Sequence, residues 1–157
     1  MVRLRRHSFF KWLVKFVVVF NLLPTGIALA NVQITKLTDL IFGSWSGTGD
    51  LVQTDLVCIY NTVDANYKIS ATSLAGSFQM NSGSNLLPFE VRFQGSVGGL
   101  TQLSYNTPTA FTSANTVSTA CAGGTNATLK VTVTESALSA AVPGNYSGTL
   151  SLILEPN

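Results

Sequence analysis

The amino-acid sequence predicts an all-β protein, a single sandwich or barrel of short strands. Apolar residues recur at every second position wherever a period is clear, as in Phe89, Val91 and Phe93 or Leu129, Val131 and Val133. Charged residues make up only 10% of the chain, while Gly, Ser, Thr and Asn are abundant. Turn signals separate the apolar runs at short intervals, which suits many short strands. No segment carries a convincing helical period.

The opening segment differs in character from the rest. Arg3, Arg5, Arg6, Lys11 and Lys15 form a basic region, residues 16–23 an apolar core, and Ala28-Leu29-Ala30 a small-x-small cleavage site. Residues 1–30 therefore read as an export signal and residues 31–157 as one mature domain, enough chain for a single core. The aromatic pair Phe9-Phe10 follows Arg5-Arg6 one place too late for a twin-arginine signal, so Sec export to the periplasm is expected.

Cleavage reverses the charge. The whole chain carries +2, but the five basic residues just named leave with the signal. Lys36, Lys68, Arg92 and Lys130 then face Asp39, Asp50, Asp55, Asp64, Glu90, Glu135 and Glu155, a net −3. A nucleic-acid role has no positive stripe to rest on. After the cut no apolar run approaches the roughly 18 residues that would span a bilayer, so the product is expected to be soluble or held by other proteins.

Within the mature domain, residues 56–60 form a continuous apolar run around Cys58, as in the middle of a sandwich. Tyr67, Ile69 and Ala71 alternate weakly. Phe89, Val91 and Phe93 alternate with Glu90, Arg92 and Gln94, and Leu129, Val131 and Val133 with Lys130, Thr132 and Thr134, giving each strand a core face and a wet face. Residues 135–141 suit one short helical turn. Pro143-Gly144-Asn145 is a turn leading into Leu150, Leu152 and Leu154 on one face. Other turns fall at 43–50, 61–66, 81–85, 95–99, 106–108 and 121–126.

Cys58 and Cys121 are the only cysteines. An exported chain meets an oxidising compartment, so a bridge is expected between the 56–60 strand and the loop before the 129–133 strand. Two buried free thiols are the alternative.

Catalytic chemistry finds no footing. The one histidine, His7, leaves with the signal, and neither a G-x-S-x-G elbow nor an S-x-x-K pair is present. No enzyme, cofactor or transition-metal site is expected. Gly43, Gly47 and Gly49 with Ser44, Ser46 and Thr48 imitate a phosphate loop, but no helix follows and no lysine is near. Asp50 with Asp55, or Asp64 with Asn61 and Asn66, are conceivable Ca²⁺ ligands, read here as solvated loop acids. Trp45 is expected to cap the end of the sandwich; an exposed stacking residue for a sugar ring or an abiotic surface is the other reading. The sequons at Asn126 and Asn145 carry no weight in a bacterial product.

The closing stretch, Pro143-Gly144-Asn145-Tyr146-Ser147-Gly148-Thr149-Leu150-Ser151-Leu152-Ile153-Leu154, resembles the last strand of chaperone-usher pilus subunits. Leu40-Ile41-Phe42-Gly43-Ser44-Trp45 resembles the opening of such subunits, and Leu56-Val57-Cys58 with Tyr67-Lys68-Ile69 their cysteine-bearing strand and its successor. The set is most similar to the spore coat protein U type, the pilins of the archaic branch. That resemblance implies an immunoglobulin-like sandwich lacking its final strand, with Leu150, Leu152 and Leu154 on the edge of an acceptor groove. It implies as partners a periplasmic chaperone, an outer-membrane usher and neighbouring pilins, and a cell-surface pilus with roles in adhesion and biofilm formation.

Two departures stand out. The family's cysteine near the first strand is missing. A donor extension of alternating apolar residues is reduced to residues 31–37, with Val32 and Ile34 as candidates. A tip or minor position is therefore expected ahead of a repeating one. A free-standing secreted sandwich that binds a carbohydrate or another surface is the alternative function.

Overall fold

The fold is described from a computed structural model covering residues 31–157 and the backbone of one two-residue strand, β1 (Leu4–Arg5). The export-signal reading and its cleavage site otherwise lie outside the described residues.

Two sheets face each other. The first has the order β1, β11 (Gly148–Pro156), β4 (Tyr67–Ser73), β9 (Thr109–Phe111). The second has the order β2 (Val32–Thr35), β3 (Leu51–Asn61), β10 (Ala127–Val133), β7 (Glu90–Gln94), β8 (Thr101–Gln102). A hairpin of β5 (Gln79–Ser82) and β6 (Asn85–Pro88) stands beside them. All these pairings are antiparallel except β1 with β11.

The expected alternation decides which side chains meet between the sheets. Val57 and Ile59 of β3, Tyr67, Ile69 and Ala71 of β4, Val91 and Phe93 of β7, and Leu129, Val131 and Val133 of β10 are all buried in one core. Phe89, just outside β7, joins them. In register, Val131 lies opposite Val91 on one side and Gln53 on the other. Inward residues are large and aliphatic or aromatic, whereas Lys130 and Arg92 sit opposite each other on the wet face.

Some details differ from the sequence reading. β3 starts at Leu51, so Asp55 lies on a strand and is buried, not in a solvated loop. Leu56, taken as part of an apolar run, is exposed. Cys58 points to the same outer side yet is fully buried, because its bond to Cys121 draws the preceding loop across it. The helical turn appears as α1 (Glu135–Ala140), capped by Thr134, whose Oγ1 accepts from Ala137 N.

The registers define two ends. Leu51 faces Val133 at one, which also carries α1, the 41–49 loop and the 141–147 turn. β3 leaves at Asn61 and β10 enters at Ala127 at the other, with the loops 62–66, 95–100 and 112–126.

Candidate assembly edge

β11 is bonded to β4 from Leu150, opposite Ser73, to Pro156, opposite Tyr67. Its other flank meets a strand only at Gly148 and Thr149, opposite Leu4 and Arg5 of β1. Beyond Thr149, no strand among the described residues pairs with that flank. β2, the edge of the second sheet, touches β11 but does not join it. The sandwich thus has a seam with β11 on one lip and β2 on the other.

Leu150, Leu152 and Leu154 on one lip and Val32 and Ile34 on the other are half-buried and pack against the core. Ile153 points away and is exposed. An unpaired row of backbone N–H and C=O groups beside half-covered leucines is a template for another strand.

Local chemistry explains the turn before β11. Tyr146 is buried and its hydroxyl donates to Val142 O at 2.7 Å, closing the turn. A Cβ on Gly148 would sit 3.0 Å from Met80 Cγ and 3.2 Å from Gln79 O, so the start of β11 can pass close to β5 only as glycine. A Cβ on Gly144 would come 2.7 Å from Ser82 Oγ. The motif is a set of contact requirements between the turn and the β5–β6 hairpin.

The β2 lip is braced by side chains. Thr35 Oγ1 donates to Thr119 O, and Lys36 Nζ donates to the carbonyls of Gly123 and Gly124. Lys36 itself sits at φ 67°, a left-handed conformation that this bracing holds. The buried Asp55 carboxylate accepts from Thr38 N at 2.7 Å and Thr38 Oγ1 at 3.0 Å. Cys58 of β3 is bonded to Cys121, with Cα atoms 5.8 Å apart, so the loop that braces β2 is itself tethered.

The other sequence candidates do not converge. Asp50 Oδ1 accepts from Glu135 N at the start of α1, and Asp64 Oδ1 accepts from Asn66 N within its own turn. Among the described residues no group of three or more His, Cys, Asp or Glu could hold a metal ion. Trp45 is half-buried at the helix-bearing end, its Nε1 donating to Gly49 O at 2.8 Å. The sequence marked Asn126 only as a sequon within a turn; its structural role is that Oδ1 accepts from Ile59 N and Nδ2 donates to Ile59 O and Ser113 O.

Among the described residues the chain is a disulfide-tied β-sandwich whose closing strand has no strand partner on its outer flank beyond Thr149. Residues 33–155 match the family described as CS1 type fimbrial major subunit, and the chain belongs to that family. It is therefore a fimbrial structural subunit and not an enzyme.

The fold finds a counterpart in a chain from a structure described as a chaperone-tip adhesin complex of CFA/I fimbriae biogenesis. The likeness has a TM-score of 0.53 at 15% identity, over 81% of this chain and 43% of that one. This chain therefore spans less than half the length of that counterpart, and the likeness concerns fold alone. No curated protein matches the chain.

The family match overturns the resemblance to the spore coat protein U type. The motifs behind that resemblance are a buried tyrosine, a glycine at a close approach and alternating leucines. Such features report how a closing strand packs, not lineage. The missing first-strand cysteine was the sign of the difference.

Proposed function

We propose that this chain is a repeating subunit of a surface fimbria, completed after export by a strand from another molecule laid along β11. One observation carries this reading: among the described residues no strand pairs with the outer flank of β11 from Leu150 onward, and half-covered leucines lie beside it. A periplasmic chaperone supplies the strand first, and a neighbouring subunit replaces it at an outer-membrane usher. The family's description as a major subunit favours a repeating position over the tip.

A repeating subunit must also give a strand. Residues 31–37 suit that role, since Val32 and Ile34 alternate and β2 is bonded along one flank only. Adhesion and biofilm formation then belong to the fibre. Trp45 is half-buried, with its indole N–H donating to Gly49 O, and is assigned to closing the 42–49 loop.

The test is accumulation in the periplasm. Expressed without its chaperone, the mature chain is expected to be degraded, and co-expression is expected to restore a soluble complex. A stable, soluble lone monomer would overturn the reading.

A further inference from the structure

The two ends of the sandwich are unlike: one lifts apolar side chains into solvent, and the other opens a cavity onto core residues. At the end away from α1, three loops each lift a valine into solvent: Val63 is 58% exposed, Val97 69% and Val117 89%. Solvated loops ordinarily carry polar side chains at such positions.

These loops are knitted together. Asn61 N donates to Asn115 O, and Ala114 N to Ala65 O, which ties the 62–66 loop to the 112–118 loop. Ser96 Oγ donates to Ser113 O, and a Cβ on Gly95 would lie 3.1 Å from Thr112 O, so the 95–100 loop is held against the same segment. Asn115 Oδ1 accepts from the N–H groups of Val117 and Ser118, fixing the turn that presents Val117. The three valines therefore stand on one braced platform.

At the α1 end lies a cavity of about 520 Å³ between the 42–45 segment, α1 and the 141–146 turn. Phe42, Met80, Leu87 and Leu138 form its apolar lining, with Trp45 and the exposed Val142 among its walls. Its volume lies within the range of pockets that enclose small ligands or several side chains. Charged groups are few at either end and are engaged within the chain: Lys36 Nζ donates to the carbonyls of Gly123 and Gly124, Asp64 Oδ1 accepts from Asn66 N, and Asp50 Oδ1 accepts from Glu135 N.

We propose that the valine-bearing end of one copy docks onto the cavity-bearing end of the next, as an end-to-end contact between successive subunits. The proposal rests on the repeating-subunit reading above. An open filament needs a heterologous interface, two different patches that meet on neighbouring copies. This chain carries two different apolar patches at opposite ends of the strands, one projecting and one concave. Strand donation joins neighbours through β11; the end-to-end contact sets how far apart, and in what orientation, the joined bodies sit.

The experiment uses fimbriae assembled on cells from the full chain, with a photoreactive amino acid in place of Val117. After irradiation and shearing, adducts are mapped by mass spectrometry. Cross-links from Val117 to residues 42–45 or 138–146 of another copy are expected, with a ladder of multimers. The same probe at Thr54, exposed on the outer face of β3, is expected to give no such adduct. Fimbriae that assemble while the Val117 probe links elsewhere overturn the end-to-end contact and leave strand donation intact.

A variant with Val63→Asp, Val97→Asp and Val117→Asp supplies an independent reading. It is expected to reach the chaperone in normal yield and to form fimbriae severalfold shorter than wild type. Normal length in that variant also overturns the proposal. Failure of the unaltered chain to form fibres counts against the repeating-subunit reading instead.

Discussion

Cys58 shows how one residue can carry more than one consequence. Its bond to Cys121 spans 63 positions, and closing a loop of that length in the unfolded chain is worth roughly 4 kcal/mol. Cys58→Ser is expected to lower unfolding free energy by about that amount in oxidising denaturant titrations, and to reduce surface display. Identical unfolding curves for variant and wild type would refute the contribution. Gly148 acts through space instead of linkage: with Met80 Cγ and Gln79 O so near its missing Cβ, Gly148→Ala is expected to cost about 1–3 kcal/mol, read as a lower denaturant midpoint.

Tyr67 adds a pH dependence. It is buried between Phe111, 5.9 Å away in a stacked arrangement, and the rest of the core. That burial raises its hydroxyl pKa well above the ordinary value. Above about pH 10 the unfolded chain releases this proton while the folded chain keeps it. The unfolded state then binds fewer protons, so stability falls as pH rises through that range and is unaffected by this group below it. Tyr67→Phe is expected to flatten the alkaline loss between about pH 10 and 11 in thermal unfolding. An unchanged alkaline slope would exclude Tyr67 as its source.

Among the elements, β11 carries the proposed acceptor role, and its hydrogen bonds to β4 hold it in place. From Leu150 onward β11 is bonded to β4 on one flank, and its half-buried leucines pack against the core. Leu152→Asp places a charge where the incoming strand must close over apolar surface, a burial that an unpaired carboxylate resists. The lone domain should tolerate the change better than the complex does, since Leu152 keeps some solvent contact. Chaperone co-purification is expected to drop sharply for Leu152→Asp and to persist for Ser151→Asp, on the opposite face of the strand. Equal loss in both variants would mean that the leucine face does not line the slot.

At the scale of the whole molecule, the proposed strand completion predicts that a donor strand stabilises the domain. A ligand that binds only the folded state adds RT ln(1 + [L]/Kd), about 2.7 kcal/mol at a hundredfold excess over Kd. A synthetic peptide with the sequence of residues 31–42 is therefore expected to raise the Tm of the mature domain in a concentration-dependent way. A scrambled peptide should leave it unchanged. The absence of any peptide-dependent shift would argue that β11 is complete without a second molecule.

Burial on one face leaves a period of two in the residues, and the strands with one wet face could be read directly. Phe89 to Gln94, Leu129 to Thr134 and Leu150 to Leu154 are of this kind. The cysteine pair needed only an oxidising compartment and the fact that no third cysteine competes. β8, β9 and the β5–β6 hairpin left no such trace, being two to four residues long and held by neighbours more than by their own pattern. Asp55 was misread because a carboxylate on a buried strand is indistinguishable in sequence from one in a loop; Thr38, seventeen positions away, supplies the hydrogen bonds that make its burial tolerable.

Local alternation, turn chemistry and composition were enough to dictate a β-sandwich of non-catalytic character, because each depends on residues close together in the chain. The pairing of β11 with β4, the bracing of β2 by the disulfide loop and the unlike ends of the sandwich depend on which distant segments become neighbours. Those pairings are settled by packing across 60 or more positions, as between Cys58 and Cys121, and only the assembled sheets decide them.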